Sequence, residues 1–314
     1  MAPRNRNSFE ISGGSPSTYT RASFRQDFPD DAACLEWLKN RRWPDGIECV
    51  KCGKVTPHYR VESRPSYSCQ FCGHHVHPTA GTIFEKSSTN LVLWFEAIFI
   101  MASTRCGISA KQLEREIGVG YKTAWRMFKL IRQMLAEDTE PLSGVVEMDE
   151  TYVVRSKRNR KGEKKHQGQS PNEQVIFGMV ERGGRIVARH VGAMTSIELD
   201  RQMKAHVAPS ARVMTDEAMA YRRLSEQGYK HDMIKHATKV YAKGDIHTQT
   251  IENFWMTLKG GVIGVYHGVG KDYLQSYINE YAFRYNRRSK GYPMFRAFLE
   301  QVCAPVSPSV PSAS

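Results

Sequence analysis

Two Cys-x-x-Cys motifs constrain the fold of this chain more than any other feature. Cys49 and Cys52 form the first motif, and Cys69 and Cys72 form the second after sixteen intervening residues. Each motif is a tight turn that directs two thiolates to one point, and two such turns complete a tetrahedral Zn²⁺ site without an open position. The spacing therefore predicts a zinc ribbon with one structural Zn²⁺. The alternative, a redox dithiol, needs only one pair and a βαβ context, which the flanking sequence lacks.

The charge of the chain points to a polyanionic partner. The 314 residues are long enough for two or three domains, and the formal net charge is +13 at pH 7. Such a charge favours nucleic acid over a membrane. The most apolar run, residues 91–102, contains Glu96 and is too short to span a bilayer, and no signal peptide is visible. We expect a soluble cytoplasmic protein, associated with a bacterial nucleoid, with no membrane partner.

Three acidic residues adjoin apolar segments. Asp149 follows the strand-like run 144–148, Asp216 closes a second such run, and Glu252 lies in a helical pattern. An acid at the end of a buried strand is costly unless it is paired. Carboxylates from two strands and a helix can converge on a pair of Mg²⁺ ions, which prefer oxygen ligands and support phosphodiester chemistry. Taken singly, each acid also fits a helix cap, a surface charge or a salt bridge.

Lys259 belongs to the same helical pattern as the third acid. It lies seven residues after Glu252, which is about two helical turns, so both side chains project from one face. Trp255 lies near that face. We expect Lys259 to contact a phosphate beside the metal ions.

Residues 90–136 have the pattern of three helices, with a glycine-containing turn before the third. This layout is typical of a helix-turn-helix whose recognition helix begins near residue 121. It predicts that Trp125 and Phe128 face the core. An ordinary three-helix bundle is the alternative interpretation. The residues predicted to face a DNA groove are Lys122, Thr123 and Arg126.

Two further basic clusters are candidates for contacts with DNA phosphates. Residues 155–165 hold seven basic residues among eleven, and the segment is too charged to pack. Beside an acidic metal site it would follow a phosphate backbone, although a solvated charge run is the alternative. A second cluster ends the long helical pattern near residue 288. The phosphate-contacting residues predicted in these clusters are Arg158, Arg160, Lys161, Arg284, Arg287 and Arg288.

The order of elements predicts the fold class. Around the acids it runs strand, strand, strand, helix, strand, helix, strand and late helices, as in a ribonuclease-H-like domain. The chain is therefore expected to be an α+β multidomain protein with a zinc ribbon, a helix-turn-helix and a ribonuclease-H-like catalytic domain with a mixed sheet. The expected divisions are a disordered N-terminus (1–24), a helix plus zinc ribbon (25–85), a helix-turn-helix (88–137), a catalytic domain (142–295) and a disordered tail (304–314).

The acidic motifs and their flanking residues resemble the DDE transposases of bacterial insertion sequences. The branch is the ISXO-like one, which has an N-terminal zinc ribbon and is related to the Merlin elements of eukaryotes. The resemblance covers about residues 28–295. The matching segments are MDETY (148–152), TDE (215–217), HTQTIENFW (247–255) and FRYNRR (283–288), with Lys259, Gly264, Tyr266 and His267.

This resemblance implies an activity and its site residues. Asp149, Asp216 and Glu252 would bind two Mg²⁺ or Mn²⁺ ions, and Lys259 is the lysine that follows the third acid. Many family members have Asn at the position of Glu252, whereas this chain has the full acidic triad. The implied reaction is hydrolysis at the ends of terminal inverted repeats, followed by attack of the freed 3′-hydroxyl on target DNA. No covalent protein–DNA intermediate is needed.

The resemblance also implies partners. The ribbon and the helix-turn-helix would bind the inverted repeats in double-stranded DNA, and synapsis of two ends would require at least a dimer. Two other functions stay open on the sequence alone. One is a domesticated DNA-binding protein whose catalytic domain is only a scaffold, and the other is a metal-dependent nuclease without strand transfer.

Overall fold

The described residues divide into two compact units: those within 19–134 and 288–303 form the first, and those within 135–287 form the second. Arg158, Arg160, Lys161 and the predicted tail 304–314 lie outside the described residues. None of the helices in the described part of the chain has the length and apolarity needed to span a bilayer. The computed structural model describes residues 19–137, 140–154, 173–216, 228–233, 247–288 and 292–303.

The first unit begins with two short helices, α1 (Arg21–Asp27) and α2 (Asp31–Arg42). Each is capped by the side-chain oxygen of the residue before it, which accepts a hydrogen bond from a backbone N–H of the first turn. The prediction of disorder through residue 24 is wrong for residues 21–24. Phe24 is buried and packs on Phe99, and this contact holds α1 in the unit.

The zinc ribbon is a three-stranded antiparallel sheet. Its strands β1 (His58–Val61), β2 (Ser66–Cys69) and β3 (His75–Val76) are adjacent in chain order. Gly53 and Gly73 follow the two cysteine pairs with φ of +66° and +67°. Each turn requires this left-handed conformation, which glycine adopts without steric cost. The predicted hairpin and its glycine turns are therefore confirmed.

Three further helices occupy the positions predicted from the sequence. They are α3 (Leu91–Ser103), α4 (Ala110–Ile117) and α5 (Tyr121–Met134). Helix α3 is apolar on nearly all sides and forms the centre of the first unit, where Trp94 is fully buried. Gly118 ends α4 in the left-handed conformation, with φ of +70°. This glycine makes the turn between α4 and α5.

The second unit is built on a five-stranded mixed sheet. Its strands are β4 (Val145–Val154), β5 (Glu173–Glu181), β6 (Ile186–Val191), β7 (Arg212–Thr215) and β8 (Lys230–Met233). Their order across the sheet is β6-β5-β4-β7-β8. The pairs β4–β5 and β5–β6 are antiparallel, whereas β4–β7 and β7–β8 are parallel. The prediction of a mixed sheet is confirmed.

Helices cover both faces of this sheet. One face packs against α6 (Ser196–His206), and the other packs against α7 (Gln249–Lys259) and α8 (Lys271–Asn286). Successive residues of a strand point to opposite faces. On β4, the even-numbered Val146 and Met148 face α6, and the odd-numbered residues therefore face α7 and α8.

Helix α9 (Met294–Gln301) was not predicted from the sequence and belongs to the first unit. Phe295 packs on Phe24 and Phe99 with ring centroids 5.8 and 5.6 Å apart. The predicted catalytic domain ends at residue 295, whereas the second unit ends at Arg287. The difference arises because the apolar face of α9 is buried in the first unit.

Candidate active site and metal centre

The four paired cysteines form a compact cluster in the ribbon. The sulfurs of Cys49, Cys52, Cys69 and Cys72 all lie within 4.8 Å of one another. The Sγ atoms of Cys49 and Cys72 are 3.5 Å apart, and those of Cys52 and Cys69 are 3.9 Å apart. Tetrahedral Zn²⁺ with bonds of about 2.3 Å places neighbouring sulfurs about 3.8 Å apart. The cluster therefore fits one structural Zn²⁺.

Backbone N–H groups prepare two of these thiols for metal binding. Burial is the largest effect on Cys69 and raises its pKa, but hydrogen bonds from the backbone N–H groups of Cys72 and Phe71 and from the thiols of Cys49 and Cys72 together lower the pKa to about 6. The pKa of Cys49 is lowered by the same balance of effects. The thiolate is the form that binds a metal. Each Cys-x-x-Cys motif therefore contributes one thiol with a lowered pKa, Cys49 in the first and Cys69 in the second.

Asp149 lies in the middle of β4, not at its end as the sequence suggests. The strand continues five residues further because it stays paired with β5. The other neighbour of β4 is β7, which ends one residue before Asp216. The parallel pairing between β4 and β7 extends only as far as Glu147, which lies opposite Met214. Continuing this register by two residues places Asp149 opposite Asp216. The two acids therefore lie at the sheet edge that the end of β7 creates.

Helix α7 brings the third acid to the same side of the sheet. The indole Nε1 of Trp255 donates a 2.9 Å hydrogen bond to Oδ2 of Asp149. Trp255 lies three residues after Glu252, less than one helical turn. Gly178, the partner of Asp149 on β5, makes room for the indole, because a Cβ at this glycine would lie 2.5 Å from Cη2 of Trp255.

The environment of Asp149 disfavours its ionised form and raises its pKa to about 7. Burial is the largest cause, and the negative charges of Glu150 and Asp216 add to it. The hydrogen bonds from Trp255 and from the backbone N–H of Glu150 partly offset the rise. A divalent cation would relieve both the burial cost and the repulsion, so the site fits a metal ligand.

Glu252 is exposed and turns toward the start of its own helix. Its Oε1 accepts a 3.0 Å hydrogen bond from the hydroxyl of Thr248. Among the described residues, the three acids do not form a cluster as tight as that of the cysteines. One cation bound by all three carboxylates would therefore require them to come closer together. Lys259 ends α7 and is half-buried.

Glu147 is a buried acid beside this site that was not predicted from the sequence. It has no exposed surface and precedes Asp149 by two residues on the same face of β4. Its oxygens accept hydrogen bonds from Arg182 and from the first turn of α7. A charged residue inside an apolar strand was the available signal.

Helix α5 exposes both aromatic and basic side chains. Trp125 is 36% exposed, so the prediction that it faces the core is wrong, whereas Phe128 is buried as predicted. Tyr121, one turn earlier, is 49% exposed. The helix presents these aromatic rings outward because its buried stripe is formed by other residues, among them Ala124 and Met127. Of the residues predicted to face a DNA groove, Lys122 and Arg126 are exposed and Thr123 is half-buried.

The basic cluster at the end of α8 is partly engaged within the protein. Arg284 donates to Glu280 at 2.8 Å, and Arg287 pairs with Glu137 at 2.5 Å. Their side chains are 12% and 14% exposed. A phosphate contact by either residue would require its ion pair to open. Arg288, in contrast, is exposed.

Comparison with known proteins gives two family matches. Residues 141–286 match the ISXO2-like transposase domain, and residues 29–75 match the transposase zinc-ribbon domain. A protein of Halobacterium salinarum, described as an uncharacterized protein in transposable element ISH50, is 27% identical over 278 residues. That alignment covers 82% of this chain and 91% of the relative.

Two solved structures give weak structural matches. The Mos1 strand transfer complex is 12% identical, with 62% of this chain and 77% of that chain covered and a TM-score of 0.22. A pre-cleavage Mos1 transpososome is 10% identical, with 68% and 79% covered and a TM-score of 0.18. TM-scores this low support no conclusion about this chain.

Proposed function

We propose that this protein is a metal-dependent DDE transposase, since residues 141–286 match the ISXO2-like transposase domain and residues 29–75 match the transposase zinc-ribbon domain. It binds the terminal inverted repeats of its insertion sequence, cleaves DNA strands at the element ends and joins the freed 3′-hydroxyl ends to target DNA. The bond from Trp255 to Asp149 is the observation that carries this proposal, because it fastens the helix of the third acid beside the first acid.

Asp149, Asp216 and Glu252 are the proposed ligands of two Mg²⁺ or Mn²⁺ ions. The sheet register supports the first pair, and the raised pKa of Asp149 supports a site that favours a cation. When bound, two such ions activate the attacking oxygen and stabilise the leaving oxygen of a phosphodiester. The protein contributes orientation: Trp255 holds Oδ2 of Asp149, and α7 presents Glu252 and Lys259 from one face.

The strand order supports a ribonuclease-H-like catalytic domain. Three antiparallel strands, β6-β5-β4, are followed across the sheet by two strands parallel to β4. Helix α6 packs on one face of the sheet, and α7 and α8 pack on the other face against β4, β5 and β6. In this arrangement the central strand β4 supplies the first acid, and its parallel neighbour supplies the second.

Helices α4 and α5 are the proposed helix-turn-helix, with α5 in the major groove. Lys122 and Arg126 are exposed, and Tyr121 and Trp125 lie on the same side at helical spacing. Basic groups would bind phosphates or guanine edges, and the aromatic rings would contact thymine methyl groups. The net charge of +13 supports double-stranded DNA as the partner. Because two element ends must be brought together, the active form is proposed to be at least a dimer.

Cleavage and joining of a labelled duplex with the flanking ends of the element test this proposal. We expect Mg²⁺-dependent nicking at the end and joined products, with no reaction in EDTA or with Glu252→Ala. The matched control is Asn253→Ala, the next residue on α7, which is also exposed and should keep activity.

Other outcomes assign the alternative functions. Nicking without joined products would identify a nuclease without strand transfer. Tight DNA binding without cleavage in Mg²⁺ or Mn²⁺ would identify a DNA-binding scaffold. Short inverted repeats flanking the reading frame are expected for the transposase and for neither alternative.

A further inference from the structure

Glu147 is an acid enclosed in the second unit. Its side chain is 0% exposed, on the central strand β4. Removing a carboxylate from water is costly unless charged or polar partners surround it. The partners of Glu147 therefore indicate what the fold uses this acid for.

Most of these partners belong to the N-terminus of α7. Oε2 of Glu147 accepts hydrogen bonds from the backbone N–H groups of Thr250 and Ile251 at 2.8 and 3.2 Å. Oε1 accepts one from the hydroxyl of Thr250 at 2.9 Å. The first N–H groups of a helix have no partner within the helix, and a negative charge there is stabilised by the helix dipole. Glu147 thus caps α7 from a strand 103 residues earlier in the chain.

Arg182 neutralises the acid and adds a second connection to α7. Its Nε lies 2.6 Å from Oε1 of Glu147, and its Nη2 donates to the carbonyl oxygen of His247 at 2.8 Å. His247 lies two residues before the start of α7, and its Nδ1 lies 3.2 Å from the same Oε1. The residue that leads into α7, His247, is therefore held by both members of the Glu147–Arg182 ion pair.

The spacing of these contacts places Glu252 between two attachment points. Glu147 and Asp149 are two residues apart on one face of β4, which corresponds to about 6.8 Å along the strand. Glu147 binds α7 at Thr250, and Asp149 binds it at Trp255. These five helical steps rise about 7.5 Å, close to the strand spacing. The helix is held along β4 at matching intervals, with the third acid in between.

We propose that Glu147, together with Arg182, is the positioning residue that sets Glu252 beside Asp149. This inference rests on the proposed transposase function. Glu147 is not itself a metal ligand, because each of its oxygens already accepts two hydrogen bonds. It acts through the start of α7, and so determines where the carboxylate of Glu252 can meet a cation.

The test compares Glu147→Gln with Glu280→Gln in the full chain. Glu280 is an equally buried acid, 1% exposed and paired with Arg284 on α8, away from the start of α7. For each variant we measure the melting temperature, Mn²⁺ affinity by the signal of free Mn²⁺, and cleavage at saturating DNA. Glu147→Gln is expected to weaken Mn²⁺ binding about tenfold and to slow cleavage about 100-fold. The KM for DNA should stay within about twofold of wild type.

Glu280→Gln is expected to lower the melting temperature without changing Mn²⁺ affinity. Equal losses of Mn²⁺ binding and cleavage in both variants would mean that Glu147 has only a structural role, and would overturn the inference. Wild-type values of Mn²⁺ affinity and cleavage in Glu147→Gln would also overturn it. If the wild-type protein neither binds Mn²⁺ nor cleaves, the proposed function fails, and this failure is seen before any variant is compared.

A milder pair keeps the inference testable if Glu147→Gln does not fold. Thr250→Val removes the hydroxyl that donates to Glu147 and keeps the side-chain shape, whereas Thr250→Ser keeps the hydroxyl. We expect Thr250→Val to lose Mn²⁺ affinity and cleavage rate, and Thr250→Ser to retain both. The same values in the two variants would count against the positioning role.

Discussion

Trp255 holds Asp149 by a 2.9 Å hydrogen bond from its indole Nε1 to Oδ2, across 106 residues of sequence. Trp255 is almost fully buried, so water does not compete strongly for the bond. The contact joins the central strand of the sheet to the helix of the third acid. The first three predictions concern this contact and the acid that it holds.

Trp255→Phe should weaken metal binding while keeping the fold. The variant keeps an aromatic ring but loses the donor that lowers the pKa of Asp149, so the proton competes better with the cation. We expect Mn²⁺ affinity to fall about tenfold. The control is Trp94→Phe, which loses a bond of the same length, from Nε1 to Oγ of Ser87. Trp94→Phe should lose about 1 kcal/mol of stability and keep its Mn²⁺ affinity. Weaker Mn²⁺ binding in both variants would contradict the prediction.

Gly178→Ala should destabilise the second unit by displacing the indole. The new Cβ would lie 2.5 Å from Cη2 of Trp255 and 2.8 Å from Cδ1 of Ile251. Overpacking of this kind costs about 1–3 kcal/mol, measurable by urea unfolding. Gly192→Ala, where no atom lies within 4 Å of the added Cβ, should stay within about 0.5 kcal/mol of wild type. Equal stabilities of the two variants would disprove the close contact.

The raised pKa of Asp149 predicts a pH dependence of stability in the metal-free protein. An ordinary Asp ionises near pH 4, whereas Asp149 has a pKa of about 7 in the fold. The folded state therefore binds the proton of the Asp149 carboxyl more tightly than the unfolded state does. The contribution of this proton to the free energy of unfolding is complete below about pH 4 and is lost as the pH rises to about 7. Asp149→Asn cannot ionise and should lack this component. Melting temperatures of the zinc-bound protein without added Mg²⁺ or Mn²⁺, from pH 4 to 8, test this, and identical pH profiles of wild type and Asp149→Asn would refute it.

Loss of zinc should unfold the ribbon. Cys69→Ser removes the ligand with the most strongly lowered pKa among the four thiols, and we expect loss of the bound Zn²⁺ and of the ribbon's ordered sheet. Elemental analysis and amide exchange in residues 49–76 measure both. Cys106→Ser changes an exposed cysteine outside the cluster and should keep one Zn²⁺ per chain. Full zinc content in Cys69→Ser would refute the four-thiol site.

Trp125→Ala should weaken binding to the element ends. The exposed ring lies between Lys122 and Lys129 on α5, and its loss would remove an apolar contact with the bases. We expect affinity for the inverted repeat to fall about tenfold, with little change for unrelated duplex. Ile197→Ala, which removes an 83% exposed apolar side chain on α6, is the control. Equal affinity for the inverted repeat in wild type and Trp125→Ala would exclude α5 as the recognition helix.

The sequence itself determined those features that depend on short separations along the chain. The zinc site follows from the spacing of four cysteines within 24 residues. Helices α3, α4 and α5 follow from the pattern of residues 90–136, and α5 begins at the predicted residue 121. Local conformational preferences and ligand spacing are sufficient for such elements, because the residues that stabilise them are neighbours in sequence.

The tertiary structure decided which side chains meet and which face each presents. Only strand pairing revealed that Asp149 lies within β4 and that β7 ends beside it. Glu147 contacts Thr250, which is 103 residues later in the chain, and no local sequence pattern predicts that contact. The exposure of Trp125 and the burial of Phe295 likewise depend on what packs against each helix. Burial is a property of the assembled chain, so a periodic pattern indicates a helix but not always the face that the core covers.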